Sequence, residues 1–173
     1  KTWDCNSNKG VQAVWINHPK LPFYLPIANT HLQSNVKHEA TRIEQINIIN
    51  RFLKKWHLAN SALIFVGDFN FRKFQESFKI FQRVTHLTHM GEVCTVIADR
   101  CQIGANSTLD EVVENNVDHQ FARSGILWSK DQLRQHRVKF EPLFVERNYR
   151  ELHEDKPLSD HLGYEVTYRL SWN

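Results

Sequence analysis

The apolar positions of this chain switch between two periods, and the switches divide it into elements. "VQAVWI" at 11–16 and "FYLPIANTHL" at 23–32 read as two strands joined by a loop that holds Pro19 and Pro22. In the second strand Leu25, Ile27, Asn29 and His31 share one face at period two, so its apolar row ends in polar residues. "HEATRIEQINIINRFLKKWH" then puts Ile43, Ile46, Ile49, Phe52, Leu53 and Trp56 at helical spacing. Glu39 and Glu44 lie toward the start of that helix and Lys54 and Lys55 near its end, which matches the helix dipole. "ALIFV" at 62–66 is an unbroken apolar run, the signature of a strand buried on both faces in the middle of a sheet covered by helices. The run stops at "GDFN", after which Phe74, Phe78 and Phe81 recur at helical spacing. The tetrapeptide therefore sits in a loop between a central strand and a helix, where α/β folds carry their chemistry.

From 84 to 117 the pattern weakens, and the Gly, Asn, Ser and Asp of "IGANSTLDE" suggest loops. Strand patterns return in "HQFARS", in "VKFEPLFVE" and after Gly163. In the last of these Tyr164, Val166, Tyr168, Leu170 and Trp172 alternate with Glu165, Thr167, Arg169 and Ser171. The 173 residues, 41% apolar and 24% charged, contain no repeat, low-complexity stretch or convincing linker and predict a single domain, 1–173. No run approaches the roughly 20 apolar residues of a bilayer span, and the first residues lack the apolar centre of a signal peptide. A soluble chain without a transmembrane segment is expected. Its compartment is left open, with secretion favoured over the cytoplasm.

A net charge of +3 tolerates a phosphate-bearing partner without demanding one. Cys5, Cys94 and Cys101 are too few for a disulfide framework and lack metal-ligand spacing, although Cys94 and Cys101 could close a small loop in an oxidising compartment. Asn106, in Asn-Ser-Thr, is a glycosylation pattern too common to place the protein.

What changes the picture is four polar clusters, each at a strand end: "ANTHLQ" (28–33), "GDFN" (67–70), "VDHQF" (117–121) and "LSDHLGYEV" (158–166). Side chains two apart on an extended strand share a face, so Asn29 and His31 can point together, as can Asp68 and Asn70. Singly, each cluster has an ordinary explanation: Asp and Asn beside Gly form turns, and most histidines are surface or satisfied core residues. Together they supply an acid, an amide, two histidines and a further Asp, each where a strand ends.

In that order these motifs resemble the endonuclease/exonuclease/phosphatase superfamily of metal-dependent phosphodiester and phosphomonoester hydrolases. "NKGVQAVWI" before "IANTHLQS" looks most like its bacterial neutral sphingomyelinase branch. The resemblance implies an α/β (α+β) chain built as an αββα sandwich, of which 1–173 is the C-terminal portion. The family's metal-binding Glu belongs to an earlier segment, and Glu39 and Glu44 lie in no matching motif. The resemblance therefore implies a further N-terminal segment or a second chain, without which apolar sheet surface is exposed and this portion alone is inactive.

The roles implied are these. His161 is the acid/base group and Asp118 orients its ring, as a carboxylate does in a triad. Asp68 orients or deprotonates the attacking water, while Asn29, His31 and Asn70 bind the phosphate oxygens. Asp160 and Asp68 contact a magnesium ion, or manganese or another divalent cation. Two departures stand out. His119 replaces an aromatic residue such as Tyr, and Gly163 stands where Pro is common; both are expected to alter the substrate pocket. The implied activity is magnesium-dependent hydrolysis of a phosphodiester, in a phospholipid headgroup as sphingomyelinases and phospholipases C cleave it, or in nucleic acid. "RSGILWSKDQLRQHRVK" at 123–139, basic and carrying Trp128, suits either partner and equally a solvated hairpin. A catalytically inactive binding module is the reading from a different class.

Overall fold

The computed structural model of the chain describes residues 9–90, 117–148, 152–153, 156–157 and 163–173. Strand β1 (Gly10–Ile16) pairs antiparallel with β2 (Leu25–His31). Helix α1 (Glu39–Lys55) then carries the chain back to β3 (Leu63–Asp68), parallel to β2, because parallel neighbours need a crossover of this length. After α2 (Glu76–Thr85) and the short β4 (Thr88–His89), β5 (Asp118–Arg123) runs antiparallel to β3 and completes a sheet of order β1-β2-β3-β5-β4. Next come β6 (Gly125–Trp128), β7 (Gln135–Asn148), the two-residue strands β8 (Leu152–His153) and β9 (Lys156–Pro157), and β10 (Gly163–Trp172). Strands β10, β7 and β6, in that order, form a second, antiparallel sheet.

Alternation along β3 explains the layering. Leu63 and Phe65 turn to the helices and join Ala28 and Phe121 beneath Ile46, Ile49 and Leu53 of α1 and Phe78 and Phe81 of α2. Ile64 and Val66 turn the other way and meet Phe140, Val166 and Tyr168 of the second sheet. The central strand is thus covered by helices on one face only, its other face being covered by a sheet. Among the described residues these are three layers of the αββα sandwich: helices, five-stranded sheet, three-stranded sheet.

Two aromatic residues leave the positions their spacing predicts. Helix α1 ends because His57 takes the left-handed conformation (φ 56) while Leu58 N–H bonds Leu53 O at 2.7 Å. That turn buries Leu58 and leaves Trp56 51% exposed. Phe74 precedes α2 instead of joining it: Gln75 N–H bonds Arg72 O, and the Gln75 side chain accepts from Arg72 N–H, closing a turn that leaves Phe74 59% exposed. The loops beside the sheet are held by Arg123, whose guanidinium donates to the carbonyls of Leu58, Ser61 and Thr85. Burial lowers its pKa to about 10, so it stays charged at neutral pH. No helix among the described residues is long and apolar enough to cross a membrane.

Candidate active site

Register brings three of the sequence-derived residues into one row. His31 is the Cα partner of Asp68, and Asp68 of Asp118, across three neighbouring strands. At the usual strand spacing the row spans about 10 Å. All three share the face of Ile27, Ile64 and Ala122, the face toward the second sheet, at the point where the apolar layer ends. His31 Nε2 lies 3.3 Å from Asp68 Oδ2, with His31 mostly exposed and Asp68 largely covered.

Asn70 joins them through the loop. It takes the left-handed conformation (φ 51), a region Asn tolerates, and its N–H bonds Asp68 Oδ1 at 2.9 Å. Its Nδ2 donates to Leu32 O at 3.1 Å, leaving the amide's second hydrogen for another acceptor. Leu32 N–H in turn bonds Asp68 O at 2.9 Å, so the ends of β2 and β3 are laced together. Gly67 is needed for this closeness. A Cβ there would lie 2.0 Å from Thr30 O and 2.9 Å from Asn29 Oδ1, on a backbone with φ +145. The same contact places the Asn29 side chain over Gly67, on the face of His31. Phe69 and Phe71, inside and just after the polar tetrapeptide, are wholly buried and anchor the loop in the helix-side core.

His119 does not line a pocket. It alternates with Asp118 and Gln120 and so shares the face of Phe121, 1% exposed and packed on Phe71 at a centroid distance of 5.3 Å. Its Nε2 donates to Phe71 O at 2.8 Å, because a carbonyl only accepts. With both rings neutral its Nδ1 then accepts from His89 Nε2, 2.9 Å away. His89 is buried too. Burial above all, with the charges of His119 and Lys73, lowers its pKa well below the usual histidine value. The departure at position 119 therefore braces the loop of Asn70 from beneath.

Asp160 and His161 lie outside the described residues, as do Cys5, Cys94, Cys101 and Asn106. The strand that follows them does not. Val166 and Tyr168 pack at the level of Ile64 and Val66, whereas Leu170 packs on the cluster of Leu25 and Ala62. Strand β10 consequently starts, at Gly163, at the end of the sandwich that holds His31, Asp68 and Asp118. The basic stretch 123–139 folds as a hairpin whose tip is at the other end. Lys130 N–H bonds Pro22 O, its Nζ bonds His18 O, and Ser129 bridges to Phe23. The eight residue steps from Phe23 to His31 put that tip about 26 Å from the row at ~3.3 Å per step. Sequence reasoning passed over Gln120, on the face of Asp118, and the cations Arg72 and Lys73 just after Asn70. Period-two counting from Asp118 would have found the first.

Among the described residues no three His, Cys, Asp or Glu side chains form a closed metal cage. The carboxylate of Asp68 is an oxygen donor of the kind magnesium takes, and Asp160, the second ligand the resemblance implies, lies outside the described residues. Magnesium keeps several waters and is usually held by one or two carboxylates, so Asp68 fits an open oxygen site.

No protein-family model matches the chain, and no curated protein matches it. Solved structures do. The catalytic domain of human Nocturnin with bound sulfate anion superposes with a TM-score of 0.61 at 19% identity, over 95% of this chain and 54% of that one. D. rerio TDP2 complexed with a single-strand DNA product gives 0.60 at 19% identity, over 93% of this chain and 62% of that one. A β-hairpin deletion mutant of beta toxin from Staphylococcus aureus gives 0.51 at 22% identity, over 92% and 55%. The chain thus spans little more than half the length of these structures, and at such identities the likeness is one of fold. That shared fold is the αββα sandwich that the order of the four polar clusters implied.

Proposed function

We propose that this chain is the C-terminal portion of a metal-dependent phosphodiester hydrolase domain. The observation that carries the proposal is the row His31, Asp68 and Asp118, closed over by Asn70, on one end of three neighbouring strands. Phosphodiester hydrolysis needs an activated water and positive groups on the phosphorus oxygens as the transition state forms. Asp68 orients or deprotonates the water. His31, Asn29 and the remaining Asn70 amide hydrogen bind phosphate oxygens. His161, two residues before β10 in the sequence, is the acid/base group, and Asp118 orients it. Asp68 and Asp160 would hold magnesium or a related divalent ion, which when bound neutralises charge on the phosphate. The remainder of the domain would cover the outer strand β1, where Val14, Trp15 and Ile16 are exposed.

The substrate proposed first is a phospholipid headgroup diester, on the sequence resemblance of "NKGVQAVWI" and "IANTHLQS" to neutral sphingomyelinases. The basic hairpin argues for neither substrate, since its Trp128 tip lies far from the row, at the other end of the sandwich. Nucleic acid is the second reading. It is favoured by the exposed Phe74 ring in the turn after Asn70, a surface on which a base can stack. Magnesium-dependent turnover of sphingomyelin vesicles against a single-stranded oligonucleotide decides between them. Cleavage of the lipid alone supports the first reading, cleavage of the oligonucleotide alone the second, and cleavage of neither, with no simple diester cleaved, refutes the hydrolase.

A further inference from the structure

Two residues past His31 the chain turns away from β2, and a fully buried cation holds that turn. Arg42, in the first turns of α1, is 0% exposed. Its Nη1 donates to Gln33 O at 3.0 Å and to Asn35 O at 2.7 Å. Its Nη2 donates to Glu39 Oε2 at 2.6 Å. The other oxygen of Glu39 accepts Ser77 N–H at 2.8 Å in the first turn of α2. Burial acts to raise the Glu39 pKa, but the hydrogen bonds from Ser77 and Arg42 outweigh it and leave the carboxyl below its usual value. Gln45 of α1 completes the clamp, its Oε1 accepting Gln33 N–H at 2.9 Å. Both backbone groups of Gln33 are therefore fixed from α1, immediately after Leu32, whose own N–H and C=O bond Asp68 and Asn70.

Stability alone does not explain an arginine here. Burying a guanidinium costs several kcal/mol that its partners offset only when they satisfy it, and an apolar residue of similar volume often serves the fold as well. Arg42 Nε has no hydrogen-bond partner among the described residues, so the group is not fully satisfied. What an apolar residue cannot do is hold two carbonyls and a carboxylate at once in a fixed fork. We infer that Arg42 is a positioning residue of the candidate site: it fixes the turn 33–35 and, through Leu32, the placement of His31 and Asn70. The kinetic part of this inference rests on the hydrolase reading; the structural part does not.

The test is Arg42→Lys and, separately, Glu39→Gln in the full-length protein, by amide hydrogen exchange and by magnesium-dependent hydrolysis of bis(p-nitrophenyl) phosphate. In Arg42→Lys, exchange at Leu32 and Gln33 is expected to speed by about tenfold or more while the central strand residue Phe65 is unchanged. The kcat is expected to fall by about 10- to 100-fold with KM within about threefold, the signature of misplacement in a folded site. Glu39→Gln keeps an acceptor for Ser77 and is expected to move the same readouts less; if Arg42→Lys does not fold, this variant decides on those readouts. Unchanged exchange at Leu32 and Gln33, a loosened turn with wild-type kcat, or a lost kcat without loosening each overturns the inference. A wild-type protein that cleaves no diester refutes the hydrolase reading instead. In that case exchange and the Asn70 side-chain amide resonance decide: both moving in the variant sustains the positioning role, and either one unmoved overturns it.

Discussion

The buried His89–His119 pair makes the fold acid-sensitive in a window that can be worked out. His89 is 4% exposed, within 5.2 Å of the Phe78 ring centroid and 5.1 Å of that of Phe121. Its pKa is lowered well below 6.5 by burial first, then by the charges of His119 and Lys73. The folded protein therefore refuses a proton that the unfolded chain accepts. The stabilisation is fully present above the unfolded pKa and is lost as the pH falls from there toward the folded one. The slope approaches about 1.4 kcal/mol per pH unit, so one such histidine removes about 1.4 kcal/mol between roughly pH 7.5 and pH 5.5. Glu39 does not contribute in this window, because its pKa lies below 4.5 and its stabilisation is lost only as the pH falls further. The perturbation is His89→Gln, which keeps an N–H donor toward His119 and does not titrate. Urea unfolding of both proteins across the window is the assay. The wild type is expected to lose about 1.4 kcal/mol more than the variant. Equal losses would show that His89 takes up a proton in the folded protein as readily as in the unfolded chain, since the other histidines are common to both.

Gly67→Ala places a methyl 2.0 Å from Thr30 O at a φ that L-residues avoid, and is expected to cost about 3 kcal/mol or more in urea unfolding. An unchanged midpoint would mean that β2 and β3 are less tightly laced than described. Arg123→Met strips hydrogen bonds from the carbonyls of Leu58, Ser61 and Thr85, and is expected to destabilise the protein by about 3 kcal/mol. Thermal melts check this, with Arg123→Lys recovering part of the loss. His161→Ala in the full-length protein is expected to leave the melt unchanged and lower kcat by about 10² to 10⁴. Retained turnover would remove His161 from the mechanism.

Much of this architecture is legible in the sequence because burial writes it in periods. The row Leu25, Ile27, Asn29 and His31 read correctly as one face, and Ile46, Ile49 and Leu53 read correctly as the buried stripe of α1. The polar clusters at strand ends were legible for the same reason: an apolar row that stops marks the end of the layer it packs in. Phe74 and Trp56 were misplaced because spacing alone does not show where a helix begins or ends. The turn closed by Gln75 and the left-handed His57 decide that, and neither has a strong sequence signal. His119 was misread from a motif comparison when its own alternation with Asp118 already put it beside Phe121. Arg42 carried a signal that went unread: it sits at helical spacing on the stripe of Ile46, Ile49 and Leu53, where a cation must be paired or absent. What could not be read is anything that depends on tertiary approach, such as Lys130 on the β1–β2 loop, which puts the basic hairpin at the far end.

The most direct test of the central claim is hydrolysis of a simple phosphodiester by the full-length protein, before and after chelation, beside Asp68→Asn. That variant keeps an oxygen for Asn70 N–H but loses the charge. Turnover that chelation abolishes and magnesium restores is expected, with a fall of about 10² to 10⁴ in kcat for Asp68→Asn and an unchanged melt. Turnover indifferent to chelation, or wild-type turnover in Asp68→Asn, would contradict that claim.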